Sequence, residues 1–261
     1  MNRLRNFVAT CTAITLFFTL SYFLTWHNNA KKLVNAQPFH AIIFDMDGTI
    51  IDTDHLWKNA NGPILDSHAP HLTDDEKSAL IANFSHLTIY EVWKLIGENC
   101  SIALSPEQII DENIRHLHDL YEKHGVAFIP HFDTFHKKAV SHGLKTAIAS
   151  NSQQQTMDVI IKKVPLKNYF KEHMYNADHV NKVYKPQPDV YLHAAKMLNV
   201  APCHCIAIED SASGIKAAKA AGMYCIGINT GKNRNALAQA DEIVDCYQHI
   251  NLEKLLNLSR S

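Results

Sequence analysis

The chain has 261 residues and a formal net charge of -1. Hydrophobic residues make up 46% and charged residues 20%, which is enough for a sizeable core and too apolar for global disorder. The near-neutral balance argues against a nucleic-acid partner, which would show as a basic excess. This length allows one large domain or one domain with an insert. Six cysteines (Cys11, Cys100, Cys203, Cys205, Cys225 and Cys246) do not fall into a disulfide framework. Cys203-His204-Cys205 is spaced too tightly for a zinc pair and reads as the entry to a strand.

In chain order, Arg3 and Arg5 precede a run, residues 6–26, that carries no charge. As a helix this run would be about 31 Å long, close to the hydrocarbon thickness of a bilayer. Tyr22 and Trp26 stand near its end as interface anchors. The run reads as an uncleaved single-pass anchor, so the protein is expected to be membrane-associated. The alternative is a secretory signal peptide cut after Val34-Asn35-Ala36, which would make it secreted or periplasmic. Lys31 and Lys32 flank the other end, so the charges do not settle an orientation. A polar linker follows, and the folded part starts near His40.

Ala41-Ile42-Ile43-Phe44 is four apolar residues in a row, too few for a helix and suited to a strand covered on both faces. Asp45 stands where it stops, Asp47 two residues on, and Gly48 allows a tight turn. Two acids this close at the mouth of a buried strand suggest a nucleophile and a proton shuttle around a hard cation. From residue 54 to 130 the pattern is helical. Thr73-Asp74-Asp75-Glu76 and Ser105-Pro106-Glu107-Gln108 are capping boxes. Ile110, Ile114, Leu117 and Tyr121 then mark one face of a helix.

After residue 130, helices and strands alternate. A helix over 131–142 ends at Gly143. A strand over 145–149 leads into Ser150-Asn151-Ser152, and a helix covers 153–163. Lys185-Pro186-Gln187-Pro188-Asp189 precedes a helix over 189–198. A strand over 205–208 leads into Glu209-Asp210-Ser211 and a helix over 212–221, and further strands cover 224–228 and 242–244. Such alternation implies an α/β fold, a doubly wound parallel sheet with helices on both faces. The expected domains are an N-terminal segment over 1–37, a core over 38–53 and 131–261, and a helical insert over 54–130.

In a parallel sheet the C-terminal strand ends share one edge, where ligands bind. Asp45 and Asp47, Ser150 and Asn151, and Glu209 and Asp210 would meet there, with Lys185 in reach. The chemistry that fits is phosphoryl transfer. Asp45 would attack phosphorus and Asp47 would move the proton. Ser150, Asn151 and Lys185 would hold the phosphate oxygens. Mg²⁺ would sit on the Asp45 carboxylate, the Asp47 carbonyl and Asp210, with Glu209 as an alternative ligand.

These motifs resemble the haloacid dehalogenase superfamily. Asp45-Met46-Asp47-Gly48-Thr49 matches its first motif and Ser150-Asn151 its second. Lys185-Pro186 with Pro188-Asp189 matches the third, and Glu209-Asp210-Ser211 with Gly214 the fourth. An insert right after the first motif is similar to the subgroup of β-phosphoglucomutase, phosphoglycolate phosphatase and sugar-phosphate phosphatases. There the insert is a cap that closes on substrate and selects it. The resemblance implies a Mg²⁺-dependent phosphatase of a small phosphorylated metabolite, because dehalogenases generally lack the second aspartate. The mutases of the subgroup usually carry a cap histidine twelve residues after the nucleophile, where this chain has Trp57. The insert has one arginine, Arg115, to grip a second phosphate. Both departures disfavour a mutase and leave Trp57 as a candidate for substrate specificity. A membrane-tethered binding protein that kept the fold without turnover is a third alternative, which the intact acids and Lys185 disfavour.

Overall fold

The computed structural model describes residues 39–82, 93–94, 96–98, 102 and 104–258. Six strands form one parallel sheet: β1 (Ala41–Phe44), β2 (Lys145–Ala149), β3 (Met174–Tyr175), β4 (Cys205–Glu209), β5 (Tyr224–Ile228) and β6 (Glu242–Val244). Their spatial order is β3-β2-β1-β4-β5-β6. The chain therefore winds one way from β1 to β3 and the other way from β4 to β6, and the reversal falls at β1. At such a reversal the connections on the two sides leave in opposite directions and open a crevice beyond the strand ends.

The helices are α1 (Asp54–His68), α2 (Asp74–Ala82), α3 (Pro106–His124), α4 (Phe132–Ser141), α5 (Gln154–Lys163), α6 (Leu166–Phe170), α7 (Asp189–Met197), α8 (Ala212–Ala220) and α9 (Leu252–Leu258). Both capping boxes form. Glu76 Oε2 accepts from the Thr73 N–H at 2.8 Å, and Gln108 Oε1 accepts from the Ser105 N–H at 2.9 Å. Residues His40–Asn251, including α1 to α8, make one compact unit, and α9 lies outside it.

β1 is buried at every position, as its unbroken apolar run requires. Side chains alternate across a strand, so β1 serves both faces. Ala41 and Ile43 join Val190, Tyr191 and Ala194 of α7 and Ile215 and Ala218 of α8 in one apolar cluster. On the opposite face Phe44 meets Phe132 and Phe170 edge-on at 5.7 Å between ring centres, an arrangement worth about 0.5–1.5 kcal/mol per pair beyond area burial.

The insert leaves and rejoins the sheet along a single seam. The Asp52 N–H donates to the Ala127 carbonyl at 2.9 Å, and the Ile129 N–H donates to the Ile50 carbonyl at 2.8 Å. Within it, α1 and α3 are tied by the Asn113 amide to Asn61 Oδ1 at 2.7 Å. The apolar stripe on α3 turns inward: Ile109, Ile110 and Ile114 pack with Ile64, Leu65 and Trp93 in a cluster of the insert's own.

Two expectations change. Helix ends fall one or two residues inside the anticipated ranges, which is ordinary fraying. The location is the larger correction. The apolar helix and anchor anticipated over 6–26 lie outside the described residues, and among the described residues no helix is long and apolar enough to cross a membrane. A charge-free run records composition only. A span also needs about 20 residues of continuous, mainly apolar helix, and no described helix supplies one. Neither the membrane location nor the exported alternative is carried further.

Candidate active site

The sheet register builds the site. Phe44 pairs with Ile148 on one side and with Ile208 on the other. The next position therefore brings Asp45 level with Ala149 and Glu209, and Ser150 and Asp210 follow one step on. The Asp45 N–H continues the ladder by donating to the Ile208 carbonyl at 2.9 Å.

Lys185 enters from the loop before α7, 2% exposed. Its ammonium donates to Asp45 Oδ1 at 2.5 Å and to Glu209 Oε1 at 2.6 Å. Glu209 is fully buried. Its Oε1 also accepts from the Tyr191 hydroxyl at 2.9 Å, and its Oε2 accepts from the Ser211 hydroxyl at 2.9 Å. Burial pushes the Asp45 carboxyl up and the Glu209 and Asp47 charges add to the rise, while the Lys185 ammonium at 2.5 Å pulls it back toward the ionised form. Burial alone would lower Lys185, but Asp45 and Glu209 outweigh it and hold the ammonium above its ordinary range. One buried cation thus serves two buried carboxylates, and Asp210 adds a third at the same point. Carboxylate oxygens of Asp45, Glu209 and Asp210 all lie within 4.8 Å of one another.

That surplus of hard oxygen donors fits a small divalent cation such as Mg²⁺. Glu209 is the least suited of the three to ligate, since both its oxygens are already engaged by protein donors. It fixes Lys185 instead. Asp210 is held by the Thr49 hydroxyl at 3.3 Å and packs directly on Gly48. A Cβ at Gly48 would come within 2.1 Å of Asp210 Oδ2, and its φ of +77° is in the region glycine favours. At Gly214 a Cβ would lie 1.8 Å from Glu209 Oε1. The two glycines let backbone approach the two acids.

Asp47 is gripped by neighbours from two regions. From the β2 loop the Ser152 hydroxyl donates to its Oδ2 at 2.9 Å. From the start of the insert the Thr53 hydroxyl and the Trp57 indole N–H donate to its Oδ1 at 2.8 and 3.3 Å. The Tyr121 side chain, from α3, lies against Asp47, Thr53 and Trp57, and burial and the Asp47 charge raise its phenol above the usual range.

The two residues of the second motif divide their work. Ser150 is 1% exposed and its hydroxyl accepts from the Ser152 N–H at 3.0 Å. Asn151 does not reach into the crevice with its amide, as anticipated. Its Oδ1 accepts from the Lys185 N–H at 2.8 Å, so it braces the loop that carries Lys185. Sequence reasoning missed Thr53, Ser152, Tyr191 and the hydroxyl of Tyr121. The first two are short polar residues beside turns. The two tyrosines stand on amphipathic helices, where they read as core.

A haloacid dehalogenase-like hydrolase family model matches residues 42–228, spanning all four motifs. The chain belongs to this family. It is 29% identical to the fructose-1-phosphate phosphatase of Escherichia coli, over 74% of this chain and 97% of that protein. It is 27% identical to the bifunctional riboflavin kinase/FMN phosphatase of Arabidopsis thaliana, over 88% of this chain but only 58% of that longer protein. Among solved structures, a haloacid dehalogenase-like protein of unknown function from Agrobacterium tumefaciens is 28% identical with a TM-score of 0.65, covering 80% of this chain and 95% of that one. These likenesses group the chain with the phosphoric monoester hydrolases of the family.

Proposed function

We propose that the protein is a Mg²⁺-dependent phosphatase that hydrolyses a small phosphomonoester, a sugar phosphate, through an aspartyl-phosphate on Asp45. The observation that carries this reading is the Asp45–Lys185–Glu209 cluster, with Asp210 beside it and Asp47 two residues away. Asp45 and Asp210, with the Asp47 carbonyl, would hold the cation. When bound it would supply positive charge against the phosphate oxygens and offset the repulsion between substrate and Asp45.

The chain's own groups do the rest. An Asp45 oxygen forms a bond to phosphorus as the ester P–O bond breaks, and the electron pair leaves on the substrate oxygen. Asp47 delivers its proton to that oxygen and releases an alcohol. Water then attacks phosphorus, gives its proton to Asp47, and frees inorganic phosphate and Asp45. Lys185 stays charged throughout and, with the Ser150 hydroxyl, holds the equatorial oxygens. The helical insert of 54–130 acts as the cap, and Trp57 on α1 stands where it would meet the substrate. The sugar-phosphate preference rests on the name of the E. coli relative.

The test is a panel of phosphomonoesters (fructose 1-phosphate, other hexose phosphates, phosphoglycolate) with the full chain, in Mg²⁺ and in EDTA. Phosphate release that EDTA abolishes is the expected result. Asp45→Asn, close in size and unable to form the phosphoenzyme, is expected to lose about 10⁴-fold or more in kcat while remaining folded. Full activity in that variant sinks the mechanism.

A further inference from the structure

Tyr121 presents an anomaly that the reaction above does not use. It is fully buried, yet among the described residues its hydroxyl has no hydrogen-bond partner. A buried donor left unpaired costs about 1–3 kcal/mol, so its placement calls for an explanation. Its neighbours are Asp47, Thr53 and Trp57. Trp57 in turn donates its indole N–H to Asp47 Oδ1 at 3.3 Å, a long bond. Both side chains come from helices of the insert and stand beside one carboxylate, whose Oδ1 also accepts from the Thr53 hydroxyl at 2.8 Å. The core contributes Ser152, at 2.9 Å, to the other oxygen.

We infer that Tyr121, beside Trp57, is a positioning residue that aims the Asp47 carboxyl at the ester oxygen. The phenol comes from α3 and the indole N–H from α1, at opposite ends of the insert. Oδ1 already accepts from the Thr53 hydroxyl at 2.8 Å and from the Trp57 indole at 3.3 Å, and in the reacting state the phenol would add a third donor there. That leaves Oδ2, on the Ser152 side, as the oxygen that carries the proton to the leaving group. In hydrogen-bond terms the insert completes the proton shuttle and does more than cover it. Catalytic hydrogen bonds are often long before substrate arrives and tighten in the reacting complex, which accounts for a hydroxyl that waits without a partner. The inference rests on the reading of Asp47 as the group that protonates the leaving oxygen.

Leaving-group dependence separates aim from mere structure. A sugar-phosphate alkoxide needs the proton as the P–O bond breaks, whereas p-nitrophenolate leaves without it. The quantity to compare is kcat/KM, which reports the steps up to phosphorylation of Asp45. In Tyr121→Phe, kcat/KM for fructose 1-phosphate is expected to fall about 10–100-fold, a fraction of the 10²–10⁴ that general acid catalysis supplies. For p-nitrophenyl phosphate it is expected to change less than about threefold, because no acid is required there. Asp47→Asn should show the same pattern more strongly. An equal fall on both esters, or no fall on the sugar phosphate, overturns the inference. If Asp47→Asn itself shows no leaving-group dependence, the premise about Asp47 fails and the inference with it. If Asp47→Asn shows the dependence and Tyr121→Phe does not, only the positioning role fails.

Discussion

At the sheet edge, Lys185, Asp45 and Glu209 are buried charges, and each has charged or hydroxyl partners at 2.5–2.9 Å. In the helical insert, Tyr121 Oη and Trp93 Nε1 are buried with no partner among the described residues, and the Trp57 indole reaches Asp47 at 3.3 Å. The core also leaves neutral atoms unpaired, His204 Nδ1 and Asn229 Oδ1, so the contrast lies between the charged cluster at the sheet edge and neutral polar groups such as those of the insert. A charge inside protein is tolerable only if paired and hydrogen-bonded, so the edge of the sheet is built to a single geometry. A neutral hydroxyl or indole N–H costs far less to leave without a partner, as with Tyr121 and Trp93.

The largest effect should come from breaking the satisfied side. Lys185→Met keeps the length of the side chain and removes its charge, leaving Asp45 and Glu209 facing each other with no cation between them. Removing one partner of a buried ion pair costs about 3–5 kcal/mol, so urea unfolding should show a loss of that order, together with loss of turnover. A variant as stable as the parent would mean that the cluster is neutral or hydrated, and the contrast with the insert would collapse.

Gly214→Ala tests the same region through shape. The new Cβ would fall 1.8 Å from Glu209 Oε1 and 1.9 Å from its Cδ. Glu209 would have to withdraw from Lys185, Tyr191 or Ser211, at roughly 2–3 kcal/mol for overpacking and a strained bond together. Gly62, on α1 of the insert, has no atom beyond its chain neighbours and its own helix backbone within 4 Å of such a Cβ, and Pro63 follows it. The gain of about 0.5–1 kcal/mol from replacing a helical glycine is offset by the clash of a Cβ with the proline ring that follows, so Gly62→Ala should be near neutral. Thermal melts should show a clear drop for Gly214→Ala and little change for Gly62→Ala.

The sheet side of this contrast could be read from sequence, and the insert side largely could not. Asp45, Glu209 and Ser150 are tied covalently to strand ends, and parallel strands bring their ends together whatever the rest of the chain does. Lys185 was visible for the same reason, being fixed just before a helix that packs on the sheet. The partners of Asp47 have no such tether. Thr53, Trp57 and Tyr121 meet it through space, and where they meet depends on how α1 and α3 pack, which helical periodicity does not specify. Tyr121 took its place in a stripe with Ile110, Ile114 and Leu117, and periodicity says nothing about where a hydroxyl at the end of a ring will point. Asn151 shows the limit at shorter range. Its position at the strand end was legible, but its amide turns to the Lys185 backbone. The two-residue strand β3 was too short to leave any pattern.

The opposite face of the sheet offers a smaller, pH-dependent test of the rule that buried groups there are satisfied only in one form. His136 is 4% exposed, bonded to the Thr146 hydroxyl at 3.0 Å and ringed by Phe44, Phe132, Tyr169 and Phe170. Burial pushes it down to about 4, against the pull of Asp133. An unfolded chain binds this proton below about pH 6.5, whereas the folded chain resists until about 4. Between those values the unfolded state holds more protons, so stability falls as pH falls. The loss should reach up to about 2 kcal/mol and be absent above pH 7. Comparing unfolding free energies of the parent and His136→Gln across pH 7 to 4 isolates this share. Parallel curves would show that the imidazole protonates freely in place.

The smallest expected effect has the opposite sign and bears directly on the insert. Tyr121→Phe deletes one oxygen and leaves the ring packed as it was. If the hydroxyl is truly without a partner in the resting protein, its removal forfeits no hydrogen bond and relieves a buried donor of its desolvation. Stability should then hold or rise by up to about 1 kcal/mol, even as turnover of a sugar phosphate falls. A loss of 1 kcal/mol or more would instead show that the hydroxyl is bonded at rest, to Asp47 or to a trapped water, and that the insert is as fully satisfied as the sheet. Stability held or gained where activity is lost is what a group that completes its hydrogen bond only in the reacting state should produce.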